Sequence, residues 1–183
     1  MKNFVYVKED FLPSDLCDYY VNLINEEDKK GNTHIGAFES GQIDTSFKNS
    51  IDISLSERDK EITTLLPYFS QAVQEYRDYS EIRVNTDEIS EITLRKYKEG
   101  TGLYKSHIDI NWGENLRRAF VILIYLNKVE KGGELVLNNH DLKIKPDKGK
   151  LVCFPCGWTW LHEACKVIKS DRYILRSFAL ITP

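Results

Sequence analysis

His107 and Asp109 stand one residue apart in a stretch, Ile92 to Leu126, written largely in strand-forming residues. In an extended strand side chains alternate, so positions i and i+2 point to the same side. An imidazole and a carboxylate aimed at one point supply two of the three donors of a 2-His-1-carboxylate metal site, which keeps coordination positions open for reactants. Alone the pair carries little weight. With Asp at about one position in twenty, a chain with few histidines produces it by chance about one time in five.

A third donor is His162, in Trp158-Thr-Trp-Leu-His-Glu-Ala-Cys165. Its segment is also β-type and is expected to lie across a barrel from His107 and Asp109. Beyond the turn-like Lys169-Ser-Asp171, Arg172, Ile174, Arg176 and Phe178 share one face of a strand. An arginine facing an apolar interior is costly unless it meets an anion. A planar guanidinium binds a carboxylate through two parallel hydrogen bonds, which suits a dicarboxylate co-substrate. Cys153, Cys156, His162 and Cys165 compete for another reading, a closed Cys3His zinc site. Against it, Cys153 lies inside an apolar strand, and Pro155 and Trp158 stand where a small metal loop would run.

The elements that must position these groups are legible from periodicity. Pro13-Ser14-Asp15 reads as a helix start, with Leu16, Tyr19, Tyr20, Leu23 and Ile24 at helical spacing and Gly31 as a stop. Residues 31 to 50 are polar and glycine-containing, a connecting loop or a lid. Ser56 to Asp59 resembles a capping box for a second helix with the stripe Ile62, Leu65, Leu66, Phe69, Val73 and Tyr76; Pro67 should kink or divide it. From about residue 82 the period changes to strands: 91–97, a near-continuous apolar run at 119–126 buried on both faces, 134–137, 150–154, 158–167 and 172–181. The expected fold is mainly β with N-terminal helices (α+β), a jelly roll, in one domain over 1–183: 1–80 as helical support and 82–183 as the core.

The chain has 183 residues, 42% hydrophobic and 29% charged, with a net charge of -3. That balance gives no electrostatic case for nucleic acid or an acidic membrane. No apolar run is long enough to span a bilayer. Acids at Glu9 and Asp10 interrupt the start, and the four cysteines are too few for a disulfide scaffold, so a cytoplasmic protein is expected.

Taken in order, Tyr97, Tyr104, His107-x-Asp109, Tyr125-Leu-Asn127, Gly132-Gly133, Gly149-Lys-Leu-Val-x-Phe-Pro155, His162-Glu163 and Arg172-Tyr173 resemble the Fe(II)/2-oxoglutarate dioxygenases of prolyl 4-hydroxylase type. Phe11-Leu12-Pro13 through Cys17 resembles that family's N-terminal region. The resemblance implies a double-stranded β-helix of cupin-like form, with His107, Asp109 and His162 ligating Fe(II). It implies that Arg172 pairs with the distal carboxylate of 2-oxoglutarate, that Tyr97 hydrogen-bonds the co-substrate with Tyr125 nearby, and that Leu135 and Phe178 form walls. The reaction it implies consumes dioxygen and 2-oxoglutarate, with ascorbate as an aid, and hydroxylates a prolyl or other amino-acid side chain of a peptide or protein. A free small molecule as substrate and a non-catalytic jelly-roll binding module are the alternatives. Two departures concern the substrate. Asp44 to Ser50 lacks the arginine often found there in prolyl hydroxylase relatives, and Arg176 replaces a smaller or apolar residue.

Overall fold

The computed structural model describes residues 4–38, 40–81, 85–110 and 118–181. The chain opens with strand β1 (Tyr6–Lys8) and helix α1 (Ser14–Lys30), then runs through β2 (His34–Ile35), β3 (Lys48–Asn49) and β4 (Ile51–Ser54) into helix α2 (Asp59–Ser80). After β5 (Glu88–Ile89), β6 (Thr93–Tyr97) and β7 (Leu103–His107) comes the long β8 (Arg118–Tyr125). Then follow β9 (Lys131–Gly132), β10 (Leu135–Leu137), β11 (Leu142–Ile144), β12 (Leu151–Pro155), β13 (His162–Ala164), β14 (Val167–Lys169) and β15 (Arg172–Leu180).

Both helices lie close to the expected spans. α1 ends where Gly31 takes a left-handed φ of 75°, and the N–H groups of Gly31 and Asn32 donate back to Asp28 and Glu27. α2 departs from expectation twice. Arg58, not Ser56, holds its N-cap, without a side-chain cap, and Ser56 pairs with Ser54 instead. Pro67 neither ends nor divides the helix, which runs unbroken to Ser80. Thr63 and Pro67 are both on the exposed face, so the carbonyl that loses its bond sits beside water. Leu65, Phe69 and Tyr76, fully buried, hold the helix across that point.

The strands form a large sheet in the order β1-β12-β8-β15-β6-β4-β2, with β5 also on β15, and a smaller one in the order β11-β10-β13-β7-β3. β9 and β14 make a separate pair. Alternation splits the large sheet's side chains between two cores. On β8, Phe120, Ile122 and Ile124 join the helices' Tyr20, Ile24, Phe69 and Tyr76 in one core. Val121, Leu123 and Tyr125 join Leu135, Leu137 and Trp160 from the small-sheet side in the other. The result is three layers: helices, large sheet, small sheet. β15 follows the same rule, with Tyr173, Leu175 and Ala179 toward the helices and Ile174 and Phe178 toward the small sheet. No helix among the described residues is long and apolar enough to cross a membrane.

Candidate active site

The inner face of the small sheet carries the donors. His107 ends β7 and His162 begins β13, and the two are register partners in adjacent antiparallel strands. His162 is thus the hydrogen-bonded neighbour of His107's strand, not a group reaching from across the barrel. Asp109, two residues on, turns the same way. One ligand atom from each of the three lies within 4.8 Å of the others. Asp109 stands 3.2 Å from His162 Nε2 and 3.6 Å from His107 Nε2.

Both rings are oriented by main-chain carbonyls. His107 Nδ1 donates to Lys105 O at 2.7 Å and His162 Nδ1 to Trp160 O at 2.9 Å. A carbonyl only accepts, so each Nδ1 carries a proton, and Nε2 is the ring atom left to ligate a metal. Tyr104 stacks on His107 with ring centroids 3.5 Å apart. Burial, then the neighbouring His162, lowers the His107 pKa to about 4. For His162 burial pulls the same way, but the Asp109 carboxylate outweighs it and raises the value. Burial alone would lift Asp109; His162, His107 and Arg176 together hold it well below the usual carboxylate range. An anionic carboxylate between two imidazoles with their Nε2 atoms turned inward suits a divalent cation.

Arg172 faces the trio from the large sheet, in register with Tyr97 on β6. Its guanidinium lies 3.8 Å from the centroid of the Tyr97 ring and donates from Nη1 to Gly133 O at 2.7 Å. Gly133 takes a left-handed φ of 71°. Gly102, in the turn after β6, admits no Cβ, since one would lie 2.6 Å from Tyr97 Cβ. Arg172 is only 2% exposed, yet among the described residues its Nε has no hydrogen-bond partner, and neither has the buried Tyr125 hydroxyl. Both border the same cavity of about 340 Å³ as the His-Asp-His trio. Orphaned donors in a buried pocket point to an anionic ligand.

All six expected site residues, His107, Asp109, His162, Arg172, Tyr97 and Tyr125, line this one cavity, and Leu135 forms part of its wall. Phe178 instead lies behind it, under the guanidiniums of Arg118 and Arg176 at 4.0 and 4.4 Å. The 31–50 stretch contributes Ala37, Phe38, Phe47 and Lys48 to the lining. Sequence reasoning missed Lys48 and Arg95. Arg95 was within reach of it, being two residues before Tyr97 on the same face; Lys48 sits in the stretch noted for lacking arginine. The cysteines do not join the trio: Cys153 and Cys156 are buried with their thiol pKa values pushed up by burial, and Cys165 Sγ contacts Glu163.

Residues 92–179, which contain all six of these groups, match the family model of the 2OG-Fe(II) oxygenase superfamily. No curated protein matches the chain significantly. Among solved structures it is similar to a prolyl hydroxylase from Trichoplax adhaerens in complex with a hypoxia inducible factor peptide fragment, at 20% identity and a TM-score of 0.77, covering 98% of this chain and 84% of that one. A Pseudomonas putida prolyl-4-hydroxylase gives 17% identity and a TM-score of 0.76, covering 96% and 92%. The viral collagen prolyl hydroxylase of Paramecium bursaria Chlorella virus 1, as its 2OG complex, gives 18% and 0.73, covering 98% and 97%. These likenesses show the fold, a double-stranded β-helix.

Proposed function

We propose, on the premise that this chain belongs over residues 92–179 to the 2OG-Fe(II) oxygenase superfamily, that it hydroxylates a prolyl or other amino-acid side chain in a peptide or protein. Fe(II) is its metal and 2-oxoglutarate its co-substrate. The observation that carries the reading is convergence from two sheets. Three metal donors lie on one face of the cavity, and an arginine with an open Nε and a tyrosine with an open hydroxyl lie on the other. The prolyl hydroxylases that share the fold support a peptide substrate.

His107, Asp109 and His162 would hold the metal, the two Nδ1–H bonds to Lys105 and Trp160 fixing both rings before it arrives. Arg172 and the Tyr125 hydroxyl would take the distal carboxylate of 2-oxoglutarate, with the Tyr97 ring shielding the guanidinium from water. When bound, iron and 2-oxoglutarate with dioxygen supply the oxidising power, 2-oxoglutarate losing carbon dioxide as one oxygen atom ends in succinate and the other enters the substrate. The chain's own work is positional. Val121, Leu123, Leu135 and Ile174 make an apolar wall that excludes water and sets the substrate against the open side of the trio.

The test is succinate release from 2-oxoglutarate with Fe(II), ascorbate and air, run without peptide, with proline-containing peptides and with free amino acids. Each candidate is followed by mass for one added oxygen. Succinate stimulated by a peptide that gains one oxygen is the expected result. Absence of succinate in every arm, with the metal bound, overturns the reading.

A further inference from the structure

Among the described residues three buried polar atoms around the cavity lack hydrogen-bond partners: the Tyr125 hydroxyl, Arg172 Nε and Arg176 Nε. One carboxylate of 2-oxoglutarate answers the first two. It does not answer the third. Arg172 and Arg176 are four residues apart on β15, about 13 Å along the strand at about 3.3 Å per residue.

Among the described residues Arg176 is poorly served. Its Nη2 makes one long contact, 3.3 Å, to Thr93 Oγ1, and its guanidinium lies over the Phe178 ring. Among the described residues no carboxylate forms an ion pair with it. Arg95, by contrast, is satisfied by two hydrogen bonds to Asp52 at 2.8 and 2.6 Å. Lys48 is buried beside them. It donates to Ala37 O at 2.6 Å, but among the described residues its nearest carboxylate is Asp52 at 4.0 Å, which Arg95 already engages. Burial and then the charge of Arg95 lower the pKa of Lys48 to about 8 and of Arg176 to about 10. Both cations line the same cavity as His107, Asp109 and His162. Lys48 is buried and Arg176 half-buried, and cations so placed without a close counter-ion are costly until an anion arrives.

We propose that Arg176 and Lys48 form a second anion subsite, and that the prime substrate presents a carboxylate to it close to the carbon that is oxidised. The planar edge of a guanidinium with an open Nε–H fits a carboxylate in particular. The inference rests on the dioxygenase reading and narrows it to an amino-acid unit with a nearby carboxylate. That carboxylate is either an acidic neighbouring side chain or the free α-carboxylate of the hydroxylated residue.

The test is calorimetric binding to the full chain loaded with Fe(II) and 2-oxoglutarate without oxygen, so that nothing turns over. The probes are two matched pairs: N-acetyl-prolyl-glutamic amide against its glutamine isostere, and L-proline against L-prolinamide. At least one charged member should bind about tenfold or more tightly than its neutral partner. Arg176→Gln should bring that ratio within about twofold while 2-oxoglutarate binding stays within about threefold, and Arg176→Lys should restore part of the preference. The peptide pair responding identifies the acidic neighbour; the proline pair responding identifies the free α-carboxylate. The subsite is overturned if neither pair discriminates, if no probe binds, or if Arg176→Gln weakens 2-oxoglutarate instead. Succinate release in air is scored separately on the wild type. Its absence removes the dioxygenase reading, whereas succinate without charge preference removes only the subsite.

Discussion

Asp109 supplies the one negative charge among three convergent donors, and both Nε2 atoms lie within 4 Å of its oxygens. Asp109→Ala leaves two neutral imidazoles, and Fe(II) affinity should fall by more than about 100-fold, read by metal analysis after gel filtration. Arg172→Ala removes a charge-assisted contact of about 2–3 kcal/mol, so the 2-oxoglutarate Kd measured by calorimetry should rise about 30- to 150-fold. An unchanged Kd would reassign the anchor. These residues were legible because their spacing is the strand period, and a histidine, a carboxylate and an arginine on inner faces are conspicuous there. Lys48 was not: its approach to the site comes from β3 pairing with β7, a partnership that no local pattern encodes. The same holds for His162, whose strand was recognised while its place directly beside His107 was not.

The strands that carry the site are two-faced, so stability and binding should separate along β15. Leu175 points to the helices and is fully buried. Leu175→Ala should cost about 2–5 kcal/mol, lowering the urea midpoint and leaving the 2-oxoglutarate Kd unchanged. β4 and β6 are tied by a buried pair, Asp52 directly opposite Arg95. Burial would raise the Asp52 pKa, but Arg95's charge and hydrogen bonds outweigh it and hold the carboxyl below its ordinary value. A depressed folded-state pKa stabilises above the unfolded value, and that stability is lost as pH falls through the folded one. Stability to urea should therefore be flat near neutrality with respect to this group and fall below about pH 4. Asp52→Asn should flatten the acid limb while lowering stability by about 3–5 kcal/mol, because Arg95 stays buried without its counter-ion. At this scale the sequence misled where tertiary packing overrode local chemistry. The apolar stripe of α2 carried the helix through Pro67, and the stretch from Trp158 to Leu161, read as strand, is a turn before β13.

Across the whole molecule the helix-facing core draws on α1, α2 and the outer face of the large sheet, and none of the metal donors belongs to it. Chelation by EDTA should therefore silence turnover without unfolding the protein, leaving its far-UV circular dichroism unchanged; loss of the spectrum would instead indicate a structural metal. Metal and 2-oxoglutarate at about 100 times Kd should each add about 2.7 kcal/mol of stability. The three-layer plan was anticipated in class, since short strands followed two helices, but the sheet order was not. β15, the latest strand of the large sheet in the sequence, is inserted between β8 and β6. Until β15 has emerged from the ribosome, the edges of β8 and β6 that it covers lack their partner strand, each an open row of amides and carbonyls. A nascent chain stalled before that point displays both edges at once, and chaperone capture competes there with edge-to-edge aggregation.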